Sequence, residues 1–557
     1  MELPRSSDTR TTATDMHVFR QTSESPLSKG NTSREEYGDW QTGYEFARNV
    51  CLYLKGRGVA PEVIVEPTCG VGNFIAAAID VFDTVKKVYG VEISKGYMDQ
   101  TEQKLRKYQT GNRIVSHKLY NTNVFTFDFG EIVRENQQAS ILILGNPPWV
   151  TNSGQGKTDG TNLPVKGNID RIRGIEAITG KGNFDIAESI CNLLIDAFSH
   201  HRNTHMALLV KNAVIKNLLY RQHLRPRPIE EIRQLGFDAK REFGVSVAAS
   251  LFECRIGTDC QRQCSSYDFY TQQFLHAFGW VDEAFVSNVE DYGQTRFLDG
   301  RSPLVWRSGI KHDCSKVMEL SWNGSGYSNG LKEEADVDDS TVFPLLKSSD
   351  IGKGMKGVRK YLILPQTSVS EETSVLKERA PKTYSYLLAH ASYLDGRKSI
   401  IYRNKPRFGV FGLGAYSFAP YKVAISALYS DLVFSLVGPV DGKPVMVDDT
   451  CYLLGFQQIE YARITLHLLQ SDILKRFIRN ICFMDAKRII SRELLMRIDL
   501  YQLSMVVDFS GTDIPPEKIR EYRKWLSMQT VPDLFRSGRK SRACNRGDRE
   551  SAGSAAE

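Results

Sequence analysis

The stretch SILILGNPPWVTN, residues 140–152, joins a short apolar run to a corner of unusual chemistry. The run ILIL predicts a buried strand, which ends at Gly145. The corner that follows consists of Asn146, Pro147, Pro148 and Trp149. Because proline fixes φ and lacks an N–H group, this corner is rigid and cannot continue a sheet ladder. It offers an amide oxygen, backbone carbonyl groups and a flat ring, which suit the binding of a planar molecule.

A glycine-rich turn lies upstream, in the stretch PEVIVEPTCGVGNF at residues 61–74. The run VIV predicts a strand, and the following IAAAIDVF predicts a helix. A strand, a glycine-rich turn and a helix form the unit that binds nucleotides at the carboxyl end of a parallel sheet. Glycine lets a ligand approach the backbone, because no Cβ stands in the way. The candidate ligand-binding residues of this turn are Glu66, Pro67, Gly70, Gly72 and Phe74.

Two more predicted strands end at the same edge of the sheet. The stretch KVYGVEI ends at Glu92 and Ile93, and a carboxylate at that position can accept both hydroxyl groups of a ribose. The stretch HKLYNTNVFTFDF brings Asn123, Val124 or Phe125 toward an adenine ring. All the unusual residues therefore follow the carboxyl ends of successive strands, where open α/β sheets bind their ligands.

The glycine pattern favours an adenosyl ligand without phosphate groups. A dinucleotide site has the pattern G-x-G-x-x-G, whereas this turn has two glycines preceded by an acidic residue and a proline. The missing third glycine leaves no evident pyrophosphate cradle. S-adenosylmethionine fits these features, with Glu66 near its positively charged end.

The order of these motifs resembles the gamma class of amino-methylating DNA methyltransferases, the TaqI-like adenine-N6 enzymes of restriction–modification systems. The resemblance spans about residues 36–260 and starts at Gln41 and Thr42, which in that class contact the cofactor methionine. Two departures concern the sequence Thr42-Gly43, where the class has Thr-Pro, and Asn123, where it has Asp. The resemblance implies a cofactor site made of Gln41, Thr42, Glu66, Pro67, Gly70, Gly72, Phe74, Glu92, Ile93, Asn123, Val124 and Asn146.

The same resemblance gives the Asn-Pro-Pro-Trp corner its chemistry. The Asn146 side-chain oxygen and the Pro147 carbonyl each accept one hydrogen from the adenine N6 amine, and this directs the nitrogen lone pair at the methyl group. Trp149 stacks on the base after the base has left the duplex. The stretch REFGVSVAASLFECRI, residues 241–256, resembles a late hairpin strand that places an aromatic ring, Phe243, against the base.

Double-stranded DNA is the predicted partner, and two basic segments are the predicted contacts. The glycine-rich segment 150–183 carries Lys157, Lys166, Arg171 and Arg173, and the aromatic-rich segment 394–426 carries Arg397, Lys398, Arg403 and Lys405. Cations on phosphate groups position a protein on DNA. The alternatives are an exposed insertion for the first segment and a basic β-rich surface over an aromatic core for the second.

The composition is that of a soluble globular protein with a mild basic excess. The 557 residues are 41% hydrophobic and 25% charged, with a net charge of +7. No apolar run is long enough for a membrane span and the N-terminus resembles no secretory signal, so we predict a cytoplasmic protein. Cys254, Cys260 and Cys264 lack a nearby histidine pair, which favours reduced thiols over a metal site.

The sequence thus predicts an α/β fold: a Rossmann-like S-adenosylmethionine-dependent methyltransferase domain followed by a mixed α+β target-recognition domain. The predicted boundaries are a disordered segment 1–35, a catalytic domain 36–265, a recognition domain 266–510, and a helical, then basic and disordered tail 511–557. No nuclease motif is evident, so a restriction endonuclease would be a separate chain, and we predict a monomer. The alternative functions are methylation of cytosine N4, RNA adenine or protein glutamine, and a non-catalytic DNA-binding relative.

Overall fold

The computed structural model describes residues 40–109, 115–150, 185–257, 259–354, 357–429, 431–483 and 490–529. Several predictions lie outside these residues: the segment 1–35, the tail beyond residue 529, and the DNA contacts Lys157, Lys166, Arg171 and Arg173. The chain divides into two compact units, residues 1–289 and 290–557, and each is described by itself.

The first unit is built on a ten-stranded sheet. Its strands are β1 (Val63–Glu66), β2 (Lys87–Glu92), β3 (Ser116–Asn121), β4 (Ile141–Gly145), β5 (Thr204–Lys211), β6 (Ile229–Phe237), β7 (Ala249–Ile256), β8 (Gln263–Asp268), β9 (Phe274–Val281) and β10 (Ala284–Val286). Their spatial order is β10-β9-β8-β6-β7-β5-β4-β1-β2-β3. Strands β1 to β5 pair in parallel, and β7 runs antiparallel between β5 and β6.

The direction in which successive strands are added reverses between β1 and β4. The chain passes outward from β1 to β2 and β3, and then returns to the other side of β1 as β4. At such a reversal the loops after the two central strands diverge and leave a crevice for a ligand. Strands β1 and β4 are buried along their whole length and are apolar up to their last residues, Glu66 and Gly145, as expected for strands covered by helices on both faces.

The helices of this unit bury apolar stripes against the sheet. They are α1 (Tyr44–Gly56), α2 (Asn73–Val81), α3 (Lys95–Leu105), α4 (Phe129–Glu135), α5 (Ile186–Phe198), α6 (Asn212–Gln222) and α7 (Ala239–Phe243). In α5 the buried residues recur every three or four positions, as on one face of a helix: Ile186, Ile190, Leu194 and Phe198. The helix begins at Asp185, whose carboxylate accepts the N–H of Ala187.

The sheet continues beyond the predicted end of the catalytic domain. Strand β8 pairs in parallel with β6, β9 pairs antiparallel with β8, and β10 pairs antiparallel with β9, so the first unit ends at Val289 rather than at residue 265. The boundary at residue 265 was predicted from a change in composition. Hydrogen bonds between strands link distant parts of the chain, and they include the residues after 265 in the first unit.

The second unit contains two smaller sheets. Their strands are β11 (Arg307–Ser308), β12 (Glu319–Trp322), β13 (Tyr327–Ser328), β14 (Val342–Leu346), β15 (Lys360–Ile363), β16 (Tyr421–Ser426), β17 (Phe434–Val437), β18 (Met446–Val447) and β19 (Cys451–Phe456). One sheet has the order β11-β19-β16-β17, and the other has the order β13-β12-β15-β14-β18.

The second unit also contains α-helices. They are α8 (Val289–Thr295), α9 (Ser315–Met318), α10 (Ser348–Gly352), α11 (Leu376–Arg379), α12 (Pro381–Ala389), α13 (Ala391–Asp395), α14 (Ile459–Gln470), α15 (Asp472–Ile481), α16 (Arg492–Leu495), α17 (Leu500–Val506) and α18 (Pro516–Ser527). Of these, α10 and α14 contact strands β16 and β17. The helix predicted within the tail 511–557 is α18, and it packs into this unit: Tyr522 is fully buried, and its hydroxyl lies 2.7 Å from Thr465 Oγ1. The predicted fold class, a Rossmann-like α/β domain followed by a mixed α+β unit, is confirmed.

Three properties of the described residues bear on the remaining sequence predictions. They include no helix long and apolar enough to span a membrane. No group of three or more histidine, cysteine or acidic side chains among them is arranged to hold a metal ion. Cys254 and Cys264 are buried on β7 and β8, while Cys260 is exposed, and all three are free thiols.

Candidate active site

The glycine-rich loop between β1 and α2 is held against the end of β2 by one carboxylate. Glu92 accepts the N–H of Gly70 on Oε2 at 2.9 Å and the N–H of Ser94 on Oε1 at 2.7 Å. On the other side, Thr101 donates its hydroxyl to the Gly70 carbonyl at 2.9 Å. A carboxylate has about four acceptor positions, so the predicted contact of Glu92 with ribose hydroxyl groups is compatible with both of these bonds.

Glycine is required where this loop enters α2. Gly72 has φ of 73°, in the left-handed region that other residues rarely adopt. A Cβ added there would lie 2.6 Å from the Thr101 methyl carbon. The close approach of α3 to the loop therefore depends on the absence of a side chain at this position.

The segment before α1 is attached to the same loop, while the contact of Gln41 and Thr42 with the cofactor methionine stays a prediction. Gln41 Oε1 accepts the N–H of Val71 at 3.2 Å, and Asn73 donates its amide to the Thr42 carbonyl at 2.8 Å. Lys104 on α3 donates to the Val71 carbonyl at 2.7 Å and also to the Asn73 side chain. The sequence predictions missed Asn73 and Lys104, although a polar residue directly after a G-x-G turn is a usable signal.

Glu66 lies at the end of β1, where it is buried. Its Oε2 accepts the N–H of Ile75 at 3.3 Å, and burial raises the pKa of its carboxyl group well above the ordinary value. Gly145, at the end of β4, has φ of 151°, and a Cβ there would lie 3.2 Å from Glu66 Cγ. The ends of the two central strands thus meet where the direction of strand addition reverses.

Three polar atoms around these strand ends are buried and have no hydrogen-bond partner among the described residues. They are Thr42 Oγ1, Thr68 Oγ1 and Asn146 Oδ1. A buried polar group without a partner costs about 1–3 kcal/mol, and such groups are accordingly rare in folded proteins. Their grouping on three separate segments indicates a site whose hydrogen bonds are completed by a ligand.

The orientation of the Asn146 amide is fixed by a backbone group. Its Nδ2 donates to the Trp40 carbonyl at 2.8 Å. A carbonyl oxygen can only accept, so the nitrogen of the amide must face Trp40, and Oδ1 is the atom left for a ligand. Asn146 therefore presents one rigidly held acceptor, directly before the buried Pro147.

Trp149 and Phe243 lie side by side at the other end of the corner. Their rings meet edge-to-face with centroids 5.2 Å apart, and the two residues are 6% and 7% exposed. Trp149 Nε1 donates to the Leu209 carbonyl on β5 at 3.0 Å. The expected hairpin strand at Phe243 is wrong, because this residue ends helix α7 and strand β7 begins only at Ala249. Stacking of either ring on a base remains a prediction.

Asn123 lies two residues beyond the end of β3, where it stabilises a turn. Its Oδ1 accepts the N–H of Phe125 at 2.9 Å. Asn121, which the sequence predictions missed, donates its amide to the carbonyls of Glu92 and Ile93 at 2.9 and 3.0 Å. Ile93 is 48% exposed and offers an apolar surface beside Glu92. Contacts of Asn123, Val124, Pro67 and Phe74 with the cofactor remain predictions.

Comparison with known proteins identifies the family. No protein-family model matches the chain. The chain is 38% identical over 475 residues to the type II methyltransferase M.NspV of Nostoc sp., in an alignment that covers 85% of this chain and 98% of that protein. The chain belongs to the type II methyltransferases. This confirms the resemblance to restriction–modification methylases that its motifs indicate.

Solved structures of low sequence identity are similar to this type II methyltransferase. The DNA complex of the type IIL restriction–modification enzyme MmeI has a TM-score of 0.49 at 12% identity and covers 87% of this chain and 72% of that one. The type IIG restriction endonuclease BpuSI has a TM-score of 0.34 at 13% identity, over 88% of this chain and 61% of that one.

The second unit of this methyltransferase carries four of the predicted DNA contacts, and Arg397 differs from the other three. Its guanidinium is partly buried and donates to four backbone carbonyls, those of Leu394, His312, Gly409 and Arg407. The same group lies 3.8 Å from the centre of the Tyr402 ring. The expected phosphate contact of Arg397 is therefore corrected to a structural role, because most of its N–H groups are already bonded within the protein.

The other three cations, Lys398, Arg403 and Lys405, are exposed. Within the described part of the chain, none of their side chains makes an ion pair or a hydrogen bond, whereas the side chain of the nearby Arg407 is paired with Asp395. Lys422, another cation of the basic segment, is fully buried and donates to the Ala419 carbonyl at 2.6 Å. Burial lowers the pKa of Lys422 to about 8.

Proposed function

We propose that the protein transfers a methyl group from S-adenosylmethionine to the N6 amine of adenine in double-stranded DNA, as the modification enzyme of a restriction–modification system. The observation that carries this proposal is the buried, unpartnered Oδ1 of Asn146, which follows the end of β4 and belongs to an amide whose Nδ2 donates to the Trp40 carbonyl. An acceptor in that position requires a donor, and an exocyclic amine is a donor of the right kind.

The residues around the strand ends fit an adenosyl ligand. The loop at Gly70 and Gly72 exposes backbone without side chains, and Glu92 lies at the end of the neighbouring strand, where ribose hydroxyl groups would be accepted. Thr42 Oγ1 and Thr68 Oγ1 are available as hydrogen-bonding groups. S-adenosylmethionine, when bound, supplies a methyl group on a positively charged sulfur.

The corner then acts on the adenine amine by orientation. The N6 lone pair is delocalised into the ring, which makes the nitrogen a poor nucleophile. Asn146 Oδ1 and the Pro147 carbonyl would each accept one N6–H bond, which localises the lone pair and directs it at the methyl group. Neither acceptor is a strong base, so the proton of the methylated amine leaves for water.

The substrate is tested by incubating the protein with methyl-labelled S-adenosylmethionine and mixed duplex DNA, followed by analysis of the nucleosides. We expect the label in N6-methyladenine. Label in N4-methylcytosine would indicate the same mechanism with cytosine, instead of adenine, as the target base. Label absent from DNA but present in RNA or protein amides would overturn the proposed substrate.

We expect Glu92→Gln to weaken the binding of S-adenosylmethionine about 10- to 100-fold, measured by isothermal titration calorimetry. The amide keeps one acceptor oxygen, but its NH2 group opposes the N–H of Gly70 or Ser94. A hydrogen bond to a charged group is worth about 1.5–3 kcal/mol, and each 1.4 kcal/mol corresponds to a factor of ten.

The matched control for this substitution is Glu102→Gln on α3, where the carboxylate pairs with His117 instead of the glycine-rich loop. We expect the control to bind the cofactor as the wild type does. An affinity of Glu92→Gln within twofold of the wild-type value would contradict the assigned role.

A further inference from the structure

The segment 398–405 of the second unit, called here the basic loop, combines three unpaired cations with one exposed apolar side chain. Lys398, Arg403 and Lys405 are exposed, and no acidic residue occurs between residues 398 and 405. Ile400, in the middle, is 68% exposed. Single exposed apolar residues are common, and Ile400 differs from most of them in having three unpaired cations around it.

The backbone at the base of the basic loop is tightly held. Arg397 donates to the carbonyls of Leu394 and His312 on one side and to those of Arg407 and Gly409 on the other, and it thereby ties the two ends of the loop together. Tyr402 packs under the Arg397 guanidinium at 3.8 Å and against Phe411 at 5.4 Å.

A second tie closes the base of the loop. Arg407 binds Asp395 through two hydrogen bonds of 3.1 and 2.6 Å, so the carboxylate of Asp395, which precedes the loop in the sequence, is already paired. Asn404, with φ of 59°, turns the chain between Arg403 and Lys405. Asparagine adopts this left-handed conformation more readily than most residues. The loop therefore presents a fixed surface, and its three cations are left for an external anion.

We propose that the basic loop enters the major groove of double-stranded DNA, where Ile400 contacts the methyl group of a thymine and the three cations contact flanking phosphate groups. The proposal rests on the proposed function for the DNA substrate. Apolar side chains read thymine through its C5-methyl group, which lies in the major groove. Arg397 acts only as a positioning residue, because its donors bind the protein.

The thymine contact is tested on binding alone, so that it does not depend on methyl transfer. A preferred duplex is first selected by the wild-type protein from a random-sequence pool. Each thymine of that duplex is then replaced by deoxyuridine, which removes only the methyl group. Dissociation constants are measured for the wild type, for Ile400→Ala, and for Leu388→Ala, which shortens an exposed apolar residue elsewhere in the unit.

At one thymine, we expect deoxyuridine to weaken wild-type binding about fourfold, as for one buried methylene-sized group. Ile400→Ala should be insensitive to that replacement, while Leu388→Ala should respond as the wild type does. An Ile400→Ala variant as sensitive as the wild type at every thymine would overturn the thymine contact.

The phosphate contacts are tested by the salt dependence of binding. The slope of log K against log salt concentration is negative, and loss of each phosphate contact reduces its magnitude by about 0.9, so the slope of the triple variant K398A/R403A/K405A should be shallower by about 3. The control variant K332A/K353A/K377A removes the same charge from other exposed lysines of the unit and should change the slope little. Equal slopes for the two triple variants would overturn the proposal.

The two proposals can fail separately. Suppose that the wild type binds a selected duplex and that Ile400→Ala is insensitive to deoxyuridine at one thymine, but that no methyl group is transferred to DNA. The proposed function then fails, and the proposal for the basic loop stands. If DNA is methylated at N6 of adenine and Ile400→Ala shows no coupling at any thymine, the proposed function stands and the basic loop proposal fails.

Discussion

Asn146→Ala is expected to lower kcat about 10²- to 10³-fold while the dissociation constant for S-adenosylmethionine changes less than threefold. The substitution removes the one side-chain acceptor that the Trp40 carbonyl orients toward the site. Preorganised polar groups of this kind are worth about 2.7–4 kcal/mol each in the transition state. Single-turnover methylation and calorimetric titration of the cofactor measure the two quantities separately.

A second substitution at the same position separates the acceptor from its orientation. Asn146→Asp keeps an acceptor oxygen but replaces the Nδ2 donor, so a carboxylate oxygen would face the Trp40 carbonyl. We expect kcat to fall here as well, because the two oxygens repel each other and the side chain turns away. Full activity of Asn146→Asp would mean that the bond to Trp40 does not position the amide.

The matched control is Asn136→Ala. Its amide also bonds within the first unit, to the Tyr89 hydroxyl at 2.9 Å and to the Ile132 carbonyl at 2.7 Å, but Asn136 lies before β4 rather than after it. We expect this variant to lose free energy of unfolding without a fall in kcat per folded molecule. Equal losses of kcat in Asn146→Ala and Asn136→Ala would refute a specific role for Asn146.

The positions of the strand ends could be predicted from the sequence because each follows a short apolar run that stops at a distinctive residue. Pro147 cannot continue a ladder and so marks the end of β4, while Gly72, with its left-handed φ, marks the start of α2, in both cases by backbone sterics alone. The partners that orient these groups could not be predicted in the same way. The Trp40 carbonyl reaches Asn146 across 106 residues of sequence, and a backbone carbonyl carries no signal of its own.

The strand at Phe243 was predicted from the family resemblance, although the local sequence indicates a short helix. Asp238 accepts the N–H groups of Lys240 and Arg241 and begins helix α7, and Gly244, with φ of 75°, ends it. An aspartate followed six residues later by a glycine is typical of a short capped helix. Phe243 lies beside Trp149 nonetheless, with ring centroids 5.2 Å apart, and the contact of either ring with a base stays a prediction.

The roles of individual arginines could not be predicted from the sequence. Arg397 and Arg403 occur in one basic, aromatic-rich stretch and look equivalent there. In the structure Arg397 donates to four carbonyls, whereas Arg403 is exposed. Which cation is buried depends on where the carbonyls of His312 and Gly409 lie after folding, and this is a property of tertiary structure alone.

Trp149→Ala is expected to lower the free energy of unfolding of the first unit by about 3–5 kcal/mol, the usual cost of removing a large buried aromatic ring. Trp149 is 6% exposed, packs against Phe243 and donates its indole N–H to the Leu209 carbonyl. Trp149→Phe should cost less, about 1–2 kcal/mol, because it keeps a ring and loses mainly the hydrogen bond. Chemical denaturation followed by circular dichroism measures both values.

If Trp149 stacks on the target base, its substitution should also affect base extrusion, which a role in packing alone does not predict. With 2-aminopurine in place of the target adenine, extrusion of the base raises its fluorescence, and we expect Trp149→Phe to retain that rise because a phenyl ring still offers a face. Trp306→Phe, at a fully buried tryptophan of the second unit, serves as the control for a destabilised protein with an intact corner. If folded Trp149→Ala protein extrudes the base as well as Trp306→Phe does, Trp149 belongs to the core that supports the corner, and the base is stacked by another ring.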